Sequence, residues 1–171
     1  LFFMKPHSLG LDEITADNIL TIDLEGKVVA GGSRRHSEVY IHSEIFKVRP
    51  DVHCVLHTHP PYLIALSASE RPLKCLSQGG ALFYQSLGRY ADTINLIRTH
   101  DMGAGVARDL GPHRGVLLKN HGIVTAAPTI EEVVIRTILF ENAAQIQMIA
   151  EAAGETAPEF PAKDIEQLKH D

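Results

Sequence analysis

The segment Asp51-Val-His-Cys-Val-Leu-His-Thr-His-Pro-Pro61 constrains the fold more than any other part of the chain. Residues 52–59 alternate in a way that predicts a buried strand. Val52, Cys54, Leu56 and Thr58 share one face, and His53, Val55, His57 and His59 share the other. Side chains at i and i+2 of a strand project the same way, so His57 and His59 point together at a strand end closed by Pro60-Pro61. Two imidazoles on one wall suit a divalent metal. The same pair is also compatible with histidines hydrogen-bonded in a core or in a wet cleft.

A chain of 171 residues is long enough for one domain with a real core. Hydrophobic residues make up 44% and charged residues 22%, an ordinary globular balance. Net charge is −5 and no Lys/Arg run is present, so a general nucleic-acid or anionic-membrane surface is not indicated. No apolar stretch approaches the roughly 20 residues of a membrane span, and Leu1-Phe-Phe-Met4, followed at once by Lys5-Pro6, is not expected to act as a signal peptide. Cys54 and Cys75 sit in apolar contexts without Cys-x-x-Cys spacing. They read as reduced core thiols of a cytoplasmic protein.

Leu1–Met4 looks like the end of a strand already under way, which leads us to expect a missing N-terminal segment. Ile19–Leu24 and Lys27–Ala30 predict a hairpin turning at Glu25-Gly26. A polar loop with two arginines, Gly31–His36, precedes a helix over Glu38–Val48 capped by Ser37, with Ile41, Ile45 and Val48 on one face. Tyr62–Ser69 predicts a short helix, and Pro72–Ser77 and Ala81–Tyr84 short strands around Gln78. Asp92–Arg98 reads as loosely extended. Thr99 caps a helix over His100–Leu110 ended by Gly111. Arg114–Leu118 and Ile123–Ala126 predict strands on either side of Lys119-Asn120-His121-Gly122. Thr129 and Glu132 form a capping box opening the longest helix, to about Ala153, whose apolar residues fit no single stripe. Residues 155–171 read as a mobile C-terminal tail. Interspersed strands and helices indicate α/β layering.

Two further residues join the His pair. Glu38 lies three residues before Ile41, on the inward stripe of its helix, where a carboxylate needs a partner. A helix-start glutamate facing solvent is the alternative. His121 lies between two strands, where Gly122 permits an unusual backbone and close approach. One Glu and three His form a sensible shell for Zn²⁺ or another divalent first-row ion.

Glu38, His57-Thr-His59 and Lys-Asn-His121-Gly, with Arg49-Pro-Asp-Val ahead of the His pair, resemble the class II aldolase/adducin head family over about Phe2 to Gly154. The resemblance implies a three-layer α/β/α domain, residues 1–154, with a mixed, largely antiparallel central sheet. It implies a homo-oligomer, usually a tetramer, with sites at subunit interfaces. It implies one divalent ion per subunit, Zn²⁺ or Mn²⁺, held by His57, His59 and His121. Glu38 would be a ligand in the resting site and an acid/base during turnover. The implied chemistry is Lewis-acid polarisation of a carbonyl and stabilisation of an enediolate or enolate.

The departures from the family pattern bear on the substrate. Sugar-phosphate aldolases of the family grip phosphate with a Gly-Asn-x-Ser turn, which would lie upstream of Leu1, a Thr-Pro-x-Gly-like loop and a Ser-Ser pair. Here the second is replaced by Met4-Lys-Pro-His-Ser-Leu-Gly10, and the third reads His36-Ser37 with Arg34 and Arg35 ahead. An arginine here suits a carboxylate, and the plain alternative is a solvated loop. The aldolases also use a tyrosine about twenty residues after the His pair, where this chain has Leu76-Ser-Gln-Gly-Gly80. Tyr84 and Tyr90 come later.

The resulting expectation is a small-molecule carbon–carbon lyase leaning to decarboxylation of a hydroxylated aromatic or heteroaromatic carboxylate. Aldol cleavage or 4-epimerisation of a small sugar phosphate, dehydration, and a non-catalytic adducin-like module are the alternatives. His7, Arg35, Ser37 and Gln78 are candidate substrate contacts. His42, one turn after Glu38, is placed to orient it. His53 is expected to be structural, and His36, His100, His113 and His170 exposed.

Overall fold

A computed structural model describes residues 1–154 and 157–168, so His170 lies outside the described residues. The chain divides into two compact units: residues 1–50 with 95–108, and residues 51–94 with those from 109 onward.

The first unit carries an antiparallel three-stranded sheet in the order β1 (Phe2–Met4), β2 (Leu20–Ile22), β3 (Val28–Ala30). The β2–β3 hairpin turns as predicted. Asp23 Oδ1 accepts from the amides of Glu25 and Lys27, and Gly26 takes φ +78°. Met4, Leu20 and Ile22 form a core with Val39 from helix α1 (Val39–Val48). Ile41 and Ile45 are fully buried, but Val48, in the last turn before Pro50, is 59% exposed and leaves the predicted stripe. The predicted Ser37 cap is corrected: Glu38 is the N-cap residue, and no side chain caps this end. Helix α4 (His100–Leu110) begins in this unit with Thr99 Oγ1 accepting from Met102 N. Gly103 is required there, because a Cβ would lie 2.4 Å from the Tyr40 carbonyl oxygen.

The second unit is built on a mixed sheet in the order β4 (Cys54–Thr58), β7 (Gly122–Ala127), β6 (Gly115–Leu118), β5 (Leu87–Tyr90). Both pairs that involve β7 are antiparallel, and β5–β6 is parallel. Helix α2 (Pro61–Ser67) follows β4 directly, and the long helix α5 (Ile130–Ala152) packs against α2, β4 and β7. Thr129 Oγ1 caps α5 through Glu132 N, while the Glu132 carboxylate turns to Arg136 instead of completing the box. The core joins Leu63, Leu66, Phe83, Leu117, Ile123 and Phe140, with Phe83 and Phe140 stacked at 4.3 Å. Thr137 in α5 meets Thr125 of β7 through a 2.6 Å hydroxyl pair.

Three expectations change here. The strands predicted at 72–77 and 81–84 are absent; a short helix α3 (Gln78–Ala81) stands between them, with Ser77 Oγ accepting from Gly80 N. Gly79 and Gly80 let it press on Leu139 and Ala143 of α5. Strand β5 was not anticipated. The predicted mobile tail contains a helix, α6 (Ala162–Leu168), whose Ile165 is buried with Cys75 and Ala81. Glu159 accepts from Cys75 N, and Phe160 N donates to the Cys75 carbonyl. No described helix is long and apolar enough to cross a membrane.

Candidate metal centre

The register of β4 against β7 places Thr58 opposite Ile123 and His57 opposite Val124. The β6–β7 hairpin pairs Leu118 with Gly122, so His121 is carried in its turn beside the end of β4. The unusual backbone of this turn belongs to Asn120, at φ +53°, rather than to Gly122 as expected. Gly122 is needed for close approach instead. A Cβ there would lie 2.4 Å from Thr58 O and 2.7 Å from His59 Cδ2.

These two features bring three imidazoles together. Ring centroids are 4.8 Å apart for His57–His59, 5.0 Å for His57–His121 and 4.9 Å for His59–His121. Each ring offers a nitrogen within 4.8 Å of the other two. The Nε2 atoms of His57 and His59 are 3.1 Å apart. Two nitrogens bound at about 2.0–2.1 Å in a tetrahedral shell sit slightly over 3 Å apart, so the spacing fits a common ion. His57 Nδ1 lies 2.7 Å from the Ile123 carbonyl oxygen. A carbonyl can only accept, so Nδ1 carries the proton and Nε2 keeps its lone pair for a ligand. The set is therefore chemically suited to a divalent first-row ion.

Within the first unit, Glu38 is 5% exposed, and its Oε1 accepts from Ile97 N at 2.9 Å. The carboxylate thus points inward and is held by a backbone amide, rather than facing solvent at the helix start. Arg34, Arg35 and Ser37 line a cavity of about 400 Å³ together with Tyr40 and Arg98. Sequence reasoning misses Arg98, and no local pattern marks it. His7 sits beside this loop: its amide donates to Arg34 O, and its ring lies 4.9 Å from that of His36. Gln78 is exposed at the first position of α3 in the second unit. His53 is exposed, its amide donating to Ala127 O. His100, expected to be exposed, is half-buried against Tyr40 and hydrogen-bonded to Glu44 at 2.6 Å.

Fold and site together define an α/β chain with a histidine-rich metal-type centre. Residues 1–148 match the class II aldolase and adducin N-terminal domain family, and the chain belongs to it. It is 32% identical over 154 residues to the meiotically up-regulated gene 14 protein of Schizosaccharomyces pombe, covering 89% of this chain and 60% of that protein. It is 32% identical over 164 residues to the decarboxylase NovR of Streptomyces niveus, covering 95% and 60%. The structure of L-fuculose 1-phosphate aldolase from Glaciozyma antarctica superposes with a TM-score of 0.85 at 26% identity, covering 97% of this chain and 65% of that one. The chain thus spans about three fifths of the length of these curated relatives.

Proposed function

We propose that the protein is a divalent-metal-dependent carbon–carbon lyase, with residues 1–154 as its catalytic region and decarboxylation of a hydroxylated aromatic carboxylate as its reaction. The observation that carries this reading is the convergence of His57, His59 and His121, with the His57 tautomer set by Ile123 O. Zn²⁺ or Mn²⁺ suits three neutral imidazoles completed by a carboxylate, and Glu38 is the proposed fourth ligand. When bound, such an ion supplies Lewis-acid polarisation of substrate oxygens.

The chain's own residues do the rest. The three imidazoles fix the position of the ion and of whatever chelates it. Glu38, oriented by Ile97 N, is the acid/base group. As CO₂ leaves, the electron pair of the broken bond stays on the substrate carbon, and Glu38 returns a proton there. The likeness to a named decarboxylase and the absence of the aldolase tyrosine favour this outcome over aldol cleavage. A cytoplasmic setting agrees with two unbridged thiols, Cys54 and Cys75. A homo-oligomer, proposed to be a tetramer, agrees with the exposed stripe Ile135, Ile138, Ile146 and Ile149 on α5.

The test combines metal analysis with substrate screening. Purified protein is expected to carry one divalent ion per chain and to release CO₂ from hydroxylated aromatic dicarboxylates. Absence of bound metal rejects the reading. Bound metal with cleavage of sugar phosphates and no CO₂ release transfers the assignment to the aldolase. Bound metal, silence in both screens and a stable co-purifying partner transfer it to an adducin-like module.

A further inference from the structure

The sheet of the second unit runs β4-β7-β6-β5, so β5 is an edge, and no described strand pairs with its outer side. β5 lies parallel to β6, and Tyr90 O accepts from Lys119 N at 3.0 Å. In a parallel ladder, alternate residues of a strand carry the bonds to one neighbour. Gly88 and Tyr90 therefore bond β6, and the N–H and C=O groups of Leu87 and Arg89 face outward. Natural edges are guarded by free charges, prolines or bulges. Leu87–Tyr90 has no proline, and its one charge is not free: the Arg89 guanidinium donates to the carbonyls of Ser67, Ser69 and Arg71, at and beyond the end of α2. The side chains of Leu87 and Arg89 share one face of the sheet. There they line a cavity of about 300 Å³ with Leu73, Phe83 and Leu117, and with Glu70 and Gln85, which are exposed. Among the described residues Glu70 has no hydrogen bond or ion pair, so its charge is left for a cation to meet.

We propose that the β5 edge receives an extended peptide from a partner protein. The peptide adds as a strand along Leu87–Arg89, sets an apolar side chain in the cavity and places a basic residue against Glu70. An extended backbone is the ligand that offers donors and acceptors at the spacing of the outward groups, and its two-residue period turns every second side chain into the cavity. A small ligand fills the cavity but leaves the edge unpaired. Self-pairing of β5 across a two-fold brings a second Glu70 to the same edge, with no cation to meet it. None of these residues belongs to the metal centre, so the inference stands apart from the proposed reaction.

The test uses the full chain and a synthetic peptide, acetylated and amidated, of sequence Thr-Lys-Thr-Phe-Thr-Lys-Thr, which sets its phenylalanine and both lysines on one face. Calorimetry measures binding, and hydrogen exchange resolved to single amides locates it. In the free chain the amides of Leu87 and Arg89 are expected to exchange fast and those of Gly88 and Tyr90 slowly; the peptide should protect Leu87 and Arg89. A peptide with glycine in place of phenylalanine, and one N-methylated at phenylalanine and at the following threonine, should each bind about tenfold more weakly. Glu70→Lys should weaken binding about threefold with unchanged melting temperature. Absence of binding at millimolar peptide overturns the proposal. So do Leu87 and Arg89 amides that are already slow in the free chain, which would mark an edge covered by another copy. Equal binding of the N-methylated peptide overturns it too, and would make the cavity a small-ligand pocket.

Discussion

Gly122 lies so close to His59 that a Cβ on it would sit 2.7 Å from the His59 ring and 2.4 Å from the Thr58 carbonyl oxygen. This glycine, the first residue of β7, is thus part of what sets the spacing of the imidazoles. Gly122→Ala must push the end of β4 away from the turn. We expect a loss of about 1–3 kcal/mol in stability and a larger relative loss in metal affinity. Metal titration beside thermal melting checks this; unchanged affinity would show that the imidazoles tolerate the shift.

Helix α2 begins directly after Pro60, and its first amides are answered from another helix. The two carboxylate oxygens of Glu141 accept from Tyr62 N and Leu63 N, each at 3.0 Å. Glu141→Ala leaves both donors without that partner and is expected to cost about 2 kcal/mol. Glu141→Gln keeps an acceptor and should cost less. Denaturant titration of the two variants measures the difference, and equal losses would contradict the capping role.

Phe140 is fully buried in α5 and stacks on Phe83. Its truncation empties space between α5 and the sheet, with Gly115 close against its ring. Phe140→Ala is expected to destabilise by about 3–5 kcal/mol, whereas Phe140→Leu should lose far less. Chemical denaturation reads both, and a loss below about 1 kcal/mol for the alanine variant would mean that the core collapses onto the gap.

Glu44 governs an acid limb of stability. Burial opposes its charge, but hydrogen bonds from His100 and Lys47, with the positive charge nearby, outweigh that and hold its pKa below the ordinary 4.5. Its folded pKa is therefore below its unfolded one. The contribution is fully present above about pH 4.5 and is lost as pH falls through the depressed folded value. Lys47 also contacts Glu25, and His100 Nε2 lies 3.5 Å from the same glutamate, so the network is shared. Wild type should lose melting temperature more steeply below pH 4.5 than Glu44→Gln. Parallel acid limbs in the two proteins would remove Glu44 from this role.

Elements with strong local signals are legible in the amino-acid sequence by itself. The Thr129 cap, the glycine turns and the helical spacing over His100–Leu110 depend on residues a few positions apart, and they stand where expected. Strand β5 is hidden because Leu87-Gly-Arg-Tyr contains a glycine that reads as a breaker. In the fold that glycine admits the Asp109 carbonyl oxygen, which a Cβ would meet at 1.9 Å, and parallel pairing with β6 holds the strand. The apolar runs at 72–77 and 81–84 carry no period to separate strand from helix. Ser77 and the close packing of Gly79 and Gly80 on α5 decide between them.

The same division runs through the site. That His57 and His59 project together follows from the two-residue period of a strand, a property of the local backbone alone. That His121 meets them depends on β7 pairing with both β4 and β6, and on Gly122 allowing the chains to touch. The tautomer of His57 depends on a carbonyl 66 residues away. Arg98 joins Arg34 and Arg35 only because the chain returns to the first unit between residues 95 and 108. Spacing along a chain determines which way neighbouring side chains point; which distant groups share a space is decided by strand pairing and packing.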